Sequence, residues 1–145
     1  MRKIEQLIRQ HEGVRRFAYR DSSKFGLLTI GAGRNIDSRG GLGLSEGEIS
    51  FLLGNDIKRV EGELRGAFKW FSALSGARRD AMVGIGYNLG LTSLRGFVRA
   101  LDAMSEKDYS LASNEFMDSR WSEQVGNRAV ELCQMIETDE YQSEF

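Results

Sequence analysis

The sequence predicts an α+β fold: a short helix and a small N-terminal β lobe, one long connecting helix, then a mainly helical C-terminal lobe. Three observations carry this. Ile4, Leu7 and Ile8 repeat at helical spacing; β-branched and aromatic residues cluster on both sides of a turn in residues 15–31; and a Ser-x-x-Glu start signal at Ser45 opens a long stretch of helical periodicity.

The first helix ends at Glu12, because Gly13 is a natural stop. "RRFAYRD" and "LLTIGAG", separated by "SSKFG", read as a hairpin. Glycines at 31, 33, 40, 41 and 43 predict irregular, turn-rich backbone after it. Ser45 and Glu48 then form a capping box, each side chain answering a backbone N–H that the new helix leaves unpaired. Ile49, Leu52, Leu53, Ile57, Val60 and Leu64 keep one apolar stripe along that helix. Further helices are expected at 77–88, 94–104, 107–118 and 126–137, punctuated by Gly and Ser, since the chain has no proline.

Composition narrows the function. At 145 residues the chain fits one domain, and 41% hydrophobic with 28% charged is a globular composition. No apolar run is long enough to span a bilayer, and the charged N-terminus lacks the apolar segment and cleavage site of a signal peptide. The expectation is a chain that starts in the cytoplasm without a membrane anchor. The single cysteine, Cys133, allows no internal disulfide and sits in an amphipathic pattern that suits a buried side chain. One histidine, His11, cannot found a zinc site, and neither a phosphate loop nor a dinucleotide fingerprint is present, so no cofactor and no metal are expected. Residues 1–39 carry nine Lys/Arg against four Asp/Glu, whereas the last nine residues carry four acids and no base. The basic front is either a surface for an anionic partner or unevenly solvated charge.

Glu12 and Asp21 are the candidate chemistry. With 21 acids in 145 residues, a carboxylate stands at any given offset from a glutamate about one time in seven, so the pair alone is weak. Its setting is more informative. Glu12 closes a helix near apolar Phe17, Asp21 ends a strand at a turn, and Thr29 lies on the returning strand. Glycoside cleavage needs one carboxyl group kept protonated in a desolvated place and a second kept ionised in a wetter one. A hydroxyl such as Thr29 can hold the attacking water. Two ordinary surface charges remain the competing reading.

"EGVRRFAYRD" followed by "TIGAGRNI" resembles the active-site segment of the phage-type lysozymes, glycoside hydrolase family 24: a Glu-Gly pair, eight residues from Glu to Asp, and a Thr-Ile-Gly-x-Gly turn. "ARRDAMVGIGYNLG", "LRGFVRALDAM" and "SRWSEQVGNRA" resemble segments of the family's T-even branch in the same order, so the likeness covers about residues 4–137. The resemblance implies a lysozyme-like fold over 1–145, with a β-containing lobe near 13–44, a connecting helix at 45–66, a helical lobe from 1–12 with 66–145, and a cleft between the lobes. It implies a peptidoglycan-cleaving endolysin in which Glu12 is the general acid, Asp21 the carboxylate that activates water, and Thr29 a holder of that water. Gly33 and Asn35 would lie on the cleft floor, Tyr87, Asn88 and Arg120 would contact the saccharide, and Arg128 would pair with Glu12. Bacterial peptidoglycan would be the substrate, release would depend on a separate membrane-hole protein (a holin), and the chain would act as a monomer without nucleic acid.

Tyr87 suits a cleft wall as well as a ligand contact, and Asn88, just before Leu89-Gly90, suits a helix C-terminus as well as binding. Trp70 and Trp121 read as core, His11 as structural and Arg34 as a local ion-pair partner. The chain departs from the family in having seven residues between Asp21 and Thr29, where five are usual. An addition of two preserves strand alternation, so Thr29 can keep its face in a hairpin longer by one residue on each arm. Three other readings stay open: a lytic transglycosylase on the same fold, a non-catalytic peptidoglycan-binding or tail-associated module, and a nucleic-acid-binding domain resting on the basic front.

Overall fold

The structure, a computed structural model, describes residues 1–74 and 76–144. Among these the chain runs α1 (Lys3–Glu12), β1 (Arg15–Arg20), β2 (Leu28–Gly31), β3 (Arg34–Asn35), α2 (Glu46–Ala67), a 3-10 turn (Phe71–Ala73), α3 (Gly76–Leu89), α4 (Leu91–Leu94), α5 (Val98–Ser105), α6 (Tyr109–Met117), α7 (Arg120–Val125) and α8 (Asn127–Thr138). The class is α+β, as the sequence predicts. Contacts divide the chain into two compact units, Met1–Leu52 and Leu53 onward, with the boundary inside α2.

In the first unit α1 ends where Gly13 turns to φ 73 and donates its N–H to the Arg9 carbonyl at 3.0 Å. The Ile4, Leu7 and Ile8 face of α1 is exposed. The sheet is antiparallel in the order β1-β2-β3. Arg15 pairs with Gly31 and Tyr19 with Thr29, so four steps along β1 match two along β2, a bulge that the alternation pattern does not reveal. The third strand, β3, is also absent from the sequence reading. It forms because Gly31 and Gly33 adopt φ 69 and 76, which turns the chain back so that Thr29 pairs with Asn35. Arg34 is the expected ion-pair partner: it forks onto the two Glu48 carboxylate oxygens at 2.8 and 3.0 Å and donates to the Gly43 carbonyl at 3.0 Å. Glu48 also accepts the Ser45 N–H at 2.7 Å while the Ser45 hydroxyl accepts the Glu48 N–H at 3.2 Å, completing the predicted capping box.

The apolar core belongs to the second unit. The long stripe of α2 becomes buried only at Val60 and Leu64; Ile49, Leu52 and Leu53 are exposed. Val60 and Leu64 join Phe71, Met82, Ile85, Leu94, Met104, Phe116 and Ile136. Each such side chain contributes about 1.5–3 kcal/mol by leaving water. Trp121 is buried as expected, edge-on to Phe97 and Phe116 at 6.4 Å, while Trp70 is partly buried and stacks on Phe68 at 5.1 Å. Cys133 is buried as well, and burial pushes its thiol up to about 12, which makes it unreactive.

The helix limits shift for local reasons. The single helix expected over 94–104 divides into α4 and α5. Lys107 takes φ 60 and Asp108 caps α6 by accepting the Leu111 N–H at 3.2 Å, so that helix starts at Tyr109. α7, which the sequence reading leaves unassigned, is capped by the Ser119 hydroxyl on the Ser122 N–H at 3.3 Å.

Candidate active site

Glu12 is the last residue of α1, and its side chain lies against the turn between β2 and β3. A Cβ on Gly33 would stand 2.8 Å from Glu12 Oε2 and 3.1 Å from its Cδ. Gly33 is favoured by its φ of 76, and a side chain there would displace the Glu12 carboxylate. Glu12 and Phe17 are both exposed, Phe17 at 80% on the bulged strand, so Phe17 does not bury the acid in the desolvated setting the sequence predicts.

Asp21 follows the end of β1. Three donors converge on its Oδ1: the Ser23 hydroxyl at 2.5 Å, the Leu27 N–H at 2.9 Å and the Ser23 N–H at 3.1 Å. These bonds, the Ser23 hydroxyl foremost, hold the Asp21 carboxyl below its ordinary value, against partial burial and the nearby Asp37 charge. The group is an anion at neutral pH, the state a base requires.

Thr29 is 4% exposed, and its hydroxyl donates to the Leu27 carbonyl at 3.0 Å. That same carbonyl accepts the Asp21 N–H at 2.9 Å. Leu27 thus joins Asp21 and Thr29 through both its N–H and its C=O, across the lengthened turn. Because the hydroxyl proton is committed to Leu27, the Thr29 oxygen is available as an acceptor. The turn itself is closed by the Gly26 N–H on the Ser23 carbonyl at 3.0 Å and by Arg20 Nη1 on the Gly26 carbonyl at 3.0 Å.

Asn35 is half-buried, and its Oδ1 accepts the Asp37 N–H at 2.9 Å. Asp37, Arg39 and Ser23 were missed in the sequence. Asp37 is 5% exposed, accepts the Leu28 N–H at 3.0 Å, and pairs with Arg39 through Nε at 2.9 Å and Nη2 at 3.0 Å. The Arg39 guanidinium and the backbone donors hold its carboxyl far below the usual carboxylate range. The available signal was an Asp-x-Arg spacing in a glycine-rich loop, which also describes many solvated turns.

In the second unit Tyr87, Asn88 and Arg128 come together around a cavity of about 420 Å³, with Asp80 beside them and Ile57, Val83 and Leu132 below. Tyr87 is 50% exposed at the end of α3. Asn88 Oδ1 accepts the Trp121 indole N–H at 2.7 Å, so its amide ties α3 to α7 and keeps its two N–H donors for other partners. Arg120, exposed at the start of α7, does not line this cavity. Among the described residues no cluster of three His, Cys, Asp or Glu side chains is placed to hold a metal ion.

The structure thus sets Glu12 against a glycine turn and joins Asp21 to Thr29 through the backbone of one residue, Leu27. The sequence model of the phage lysozyme family matches residues 9–134. The chain belongs to the phage lysozyme family. The match spans Glu12, Asp21 and Thr29 in the first unit and Tyr87, Asn88, Arg120 and Arg128 in the second. Membership makes the chain a peptidoglycan-degrading lysozyme of the phage type. Among the described residues, no helix is long and apolar enough to cross a membrane.

Proposed function

We propose that this lysozyme is an endolysin: a muramidase that hydrolyses the β-1,4 bond between N-acetylmuramic acid and N-acetylglucosamine, lysing the host late in phage infection. Glu12 gives its proton to the leaving glycosidic oxygen. Asp21 takes a proton from the water whose oxygen attacks the anomeric carbon, and Thr29 accepts a hydrogen bond from that water. The anomeric C–O bond breaks as the water oxygen bonds to that carbon and stays on the new reducing sugar; Asp21 then gives its proton to solvent and Glu12 takes one back.

The observation that carries this reading is the junction at Leu27. It anchors Asp21 through Oδ1 and turns the Thr29 hydroxyl onto the carbonyl of the same residue. All three hydrogen bonds to Asp21 fall on Oδ1, which leaves Oδ2 for the water. Gly33 and Asn35 as cleft floor, and the expected roles of Tyr87, Asn88, Arg120 and Arg128, belong to the same proposal. So do accumulation in the cytoplasm, dependence on a membrane-hole protein, and action as a monomer on the periplasmic wall.

The test is mass spectrometry of muropeptides released from purified Gram-negative sacculi. Hydrolysis predicts products ending in reducing N-acetylmuramic acid. Anhydro-muramic ends would instead make the chain a lytic transglycosylase, a chemistry with no need for the Asp21 carboxylate.

A further inference from the structure

We propose that Asp37, locked by Arg39, is a positioning residue for hydrolysis: it fixes the backbone of residues 27–29 and so sets the Asp21 carboxylate and the Thr29 hydroxyl around one water. The proposal rests on the hydrolase reading above and adds to it a residue outside the expected set.

Among the described residues, the buried side chains of the first unit are Thr29 and Asp37, and both are polar. A carboxylate taken out of water is destabilising unless every lone pair finds a donor and its charge a partner. Asp37 meets both conditions. Its Oδ1 accepts the Arg39 N–H and Nε–H, each at 2.9 Å, and its Oδ2 accepts the Leu28 N–H and Arg39 Nη2, each at 3.0 Å.

The Leu28 bond is what connects this buried pair to the chemistry. Leu27 and Leu28 offer two consecutive N–H groups. The first goes to Asp21 at 2.9 Å and the second to Asp37 at 3.0 Å. One peptide unit therefore spaces the two carboxylates, and the carbonyl of the first residue takes the Thr29 hydroxyl. Arg39 extends the lock by donating from Nη2 to the Phe25 carbonyl at 3.3 Å, inside the turn that carries Ser23. Asp37→Asn turns one of the two accepting oxygens into a donor and removes the charge, so one prong of the Arg39 fork is lost together with a backbone acceptor, and the hold on residues 27–29 opposite Asp21 weakens.

Charge gives a readout that a purely structural role would not move. The Asp37 charge raises the Asp21 pKa, and the attraction between Arg39 and Asp21 holds Arg39 protonated and favours the Asp21 anion in return. The experiment measures kcat, KM and the pH profile on a soluble peptidoglycan oligosaccharide for the full-length wild type, Asp37→Asn, Arg39→Gln and Arg39→Lys. Asp37→Asn should lower kcat by about 10- to 100-fold with KM nearly unchanged, the scale of a small misplacement of reacting groups. Its acidic limb should move to lower pH, and that of Arg39→Gln to higher pH. Arg39→Lys, which keeps the charge without the fork, should lose kcat while keeping the limb in place. It also supplies the test if Asp37→Asn does not fold. Wild-type kcat and an unmoved acidic limb in the folded variants would overturn the proposal. A wild type that cleaves nothing would overturn the hydrolase reading and this inference with it.

Discussion

Glu12 and Gly33 constrain each other at the level of single atoms. The carboxylate occupies the volume a Cβ would need, and the backbone there sits at φ 76. Gly33→Ala should cost about 1–2 kcal/mol from the backbone alone. It should also push the acid out of place, so that activity falls further than the loss of folded protein accounts for. Thermal denaturation alongside turnover on sacculi separates the two effects; unchanged turnover would show that the Glu12 position is not critical. At this scale the local placement of the candidate residues was legible. Glu12 ends the first helix, Asp21 follows the first strand, Thr29 lies on the returning strand and Gly33 follows at a turn, each as the sequence predicts. Asp37 was not legible, because a buried carboxylate looks in sequence like any polar loop residue until its partners are known. Asn88 was legible only as an ambiguity, which the Trp121 indole resolves in part by engaging its carbonyl oxygen.

At the scale of elements, local rules worked where they were self-contained. The Ser45–Glu48 box formed as predicted, and Glu48 then gained a second task in gripping Arg34. The first effect holding Glu48 below its ordinary value is the Ser45 N–H, the second the Arg34 guanidinium. Ser45→Ala keeps that N–H but removes the hydroxyl that accepts the Glu48 N–H, and should destabilise the start of α2 by about 1 kcal/mol. It should leave the Arg34–Glu48 pair in place. Hydrogen exchange at the first-turn amides of α2 would record it, with Glu48 among them as the most accelerated; an unchanged Glu48 rate would contradict the box. Local rules failed where pairing or helix breaks depend on backbone geometry. The β1 bulge and β3 arise from register and from two positive-φ glycines, and α5 and α6 start later than predicted because of a turn at residues 95–97 and the left-handed Lys107. Apolar periodicity also overstated burial, since Ile4, Leu7 and Ile49 lie on predicted apolar faces yet are exposed.

For the whole molecule, the two units are stabilised by different means. The second has a continuous apolar core, whereas the buried side chains of the first are the hydrogen-bonded Thr29 and the ion-paired Asp37. This predicts how stability depends on pH. The folded-state pKa of Asp37 is depressed by Arg39 and the backbone donors, so its contribution is fully present above the unfolded value, near about 3.9, and is lost as pH falls toward the folded value. Asp21 and Glu48 shift in the same direction and add to the effect. The Tm difference between wild type and Asp37→Asn should be constant near neutral pH and shrink below about pH 4. A gap that stays constant through the acid range would show that the pair contributes nothing through its charge. Glu12 is proposed as the acid of a peptidoglycan hydrolase. Its most direct test is to digest purified sacculi with wild type and with Glu12→Gln, after circular dichroism has shown both to be folded, and to follow the release of reducing N-acetylmuramic ends. The wild type should release these ends steadily and the variant none. Release by Glu12→Gln at the wild-type rate would contradict that role.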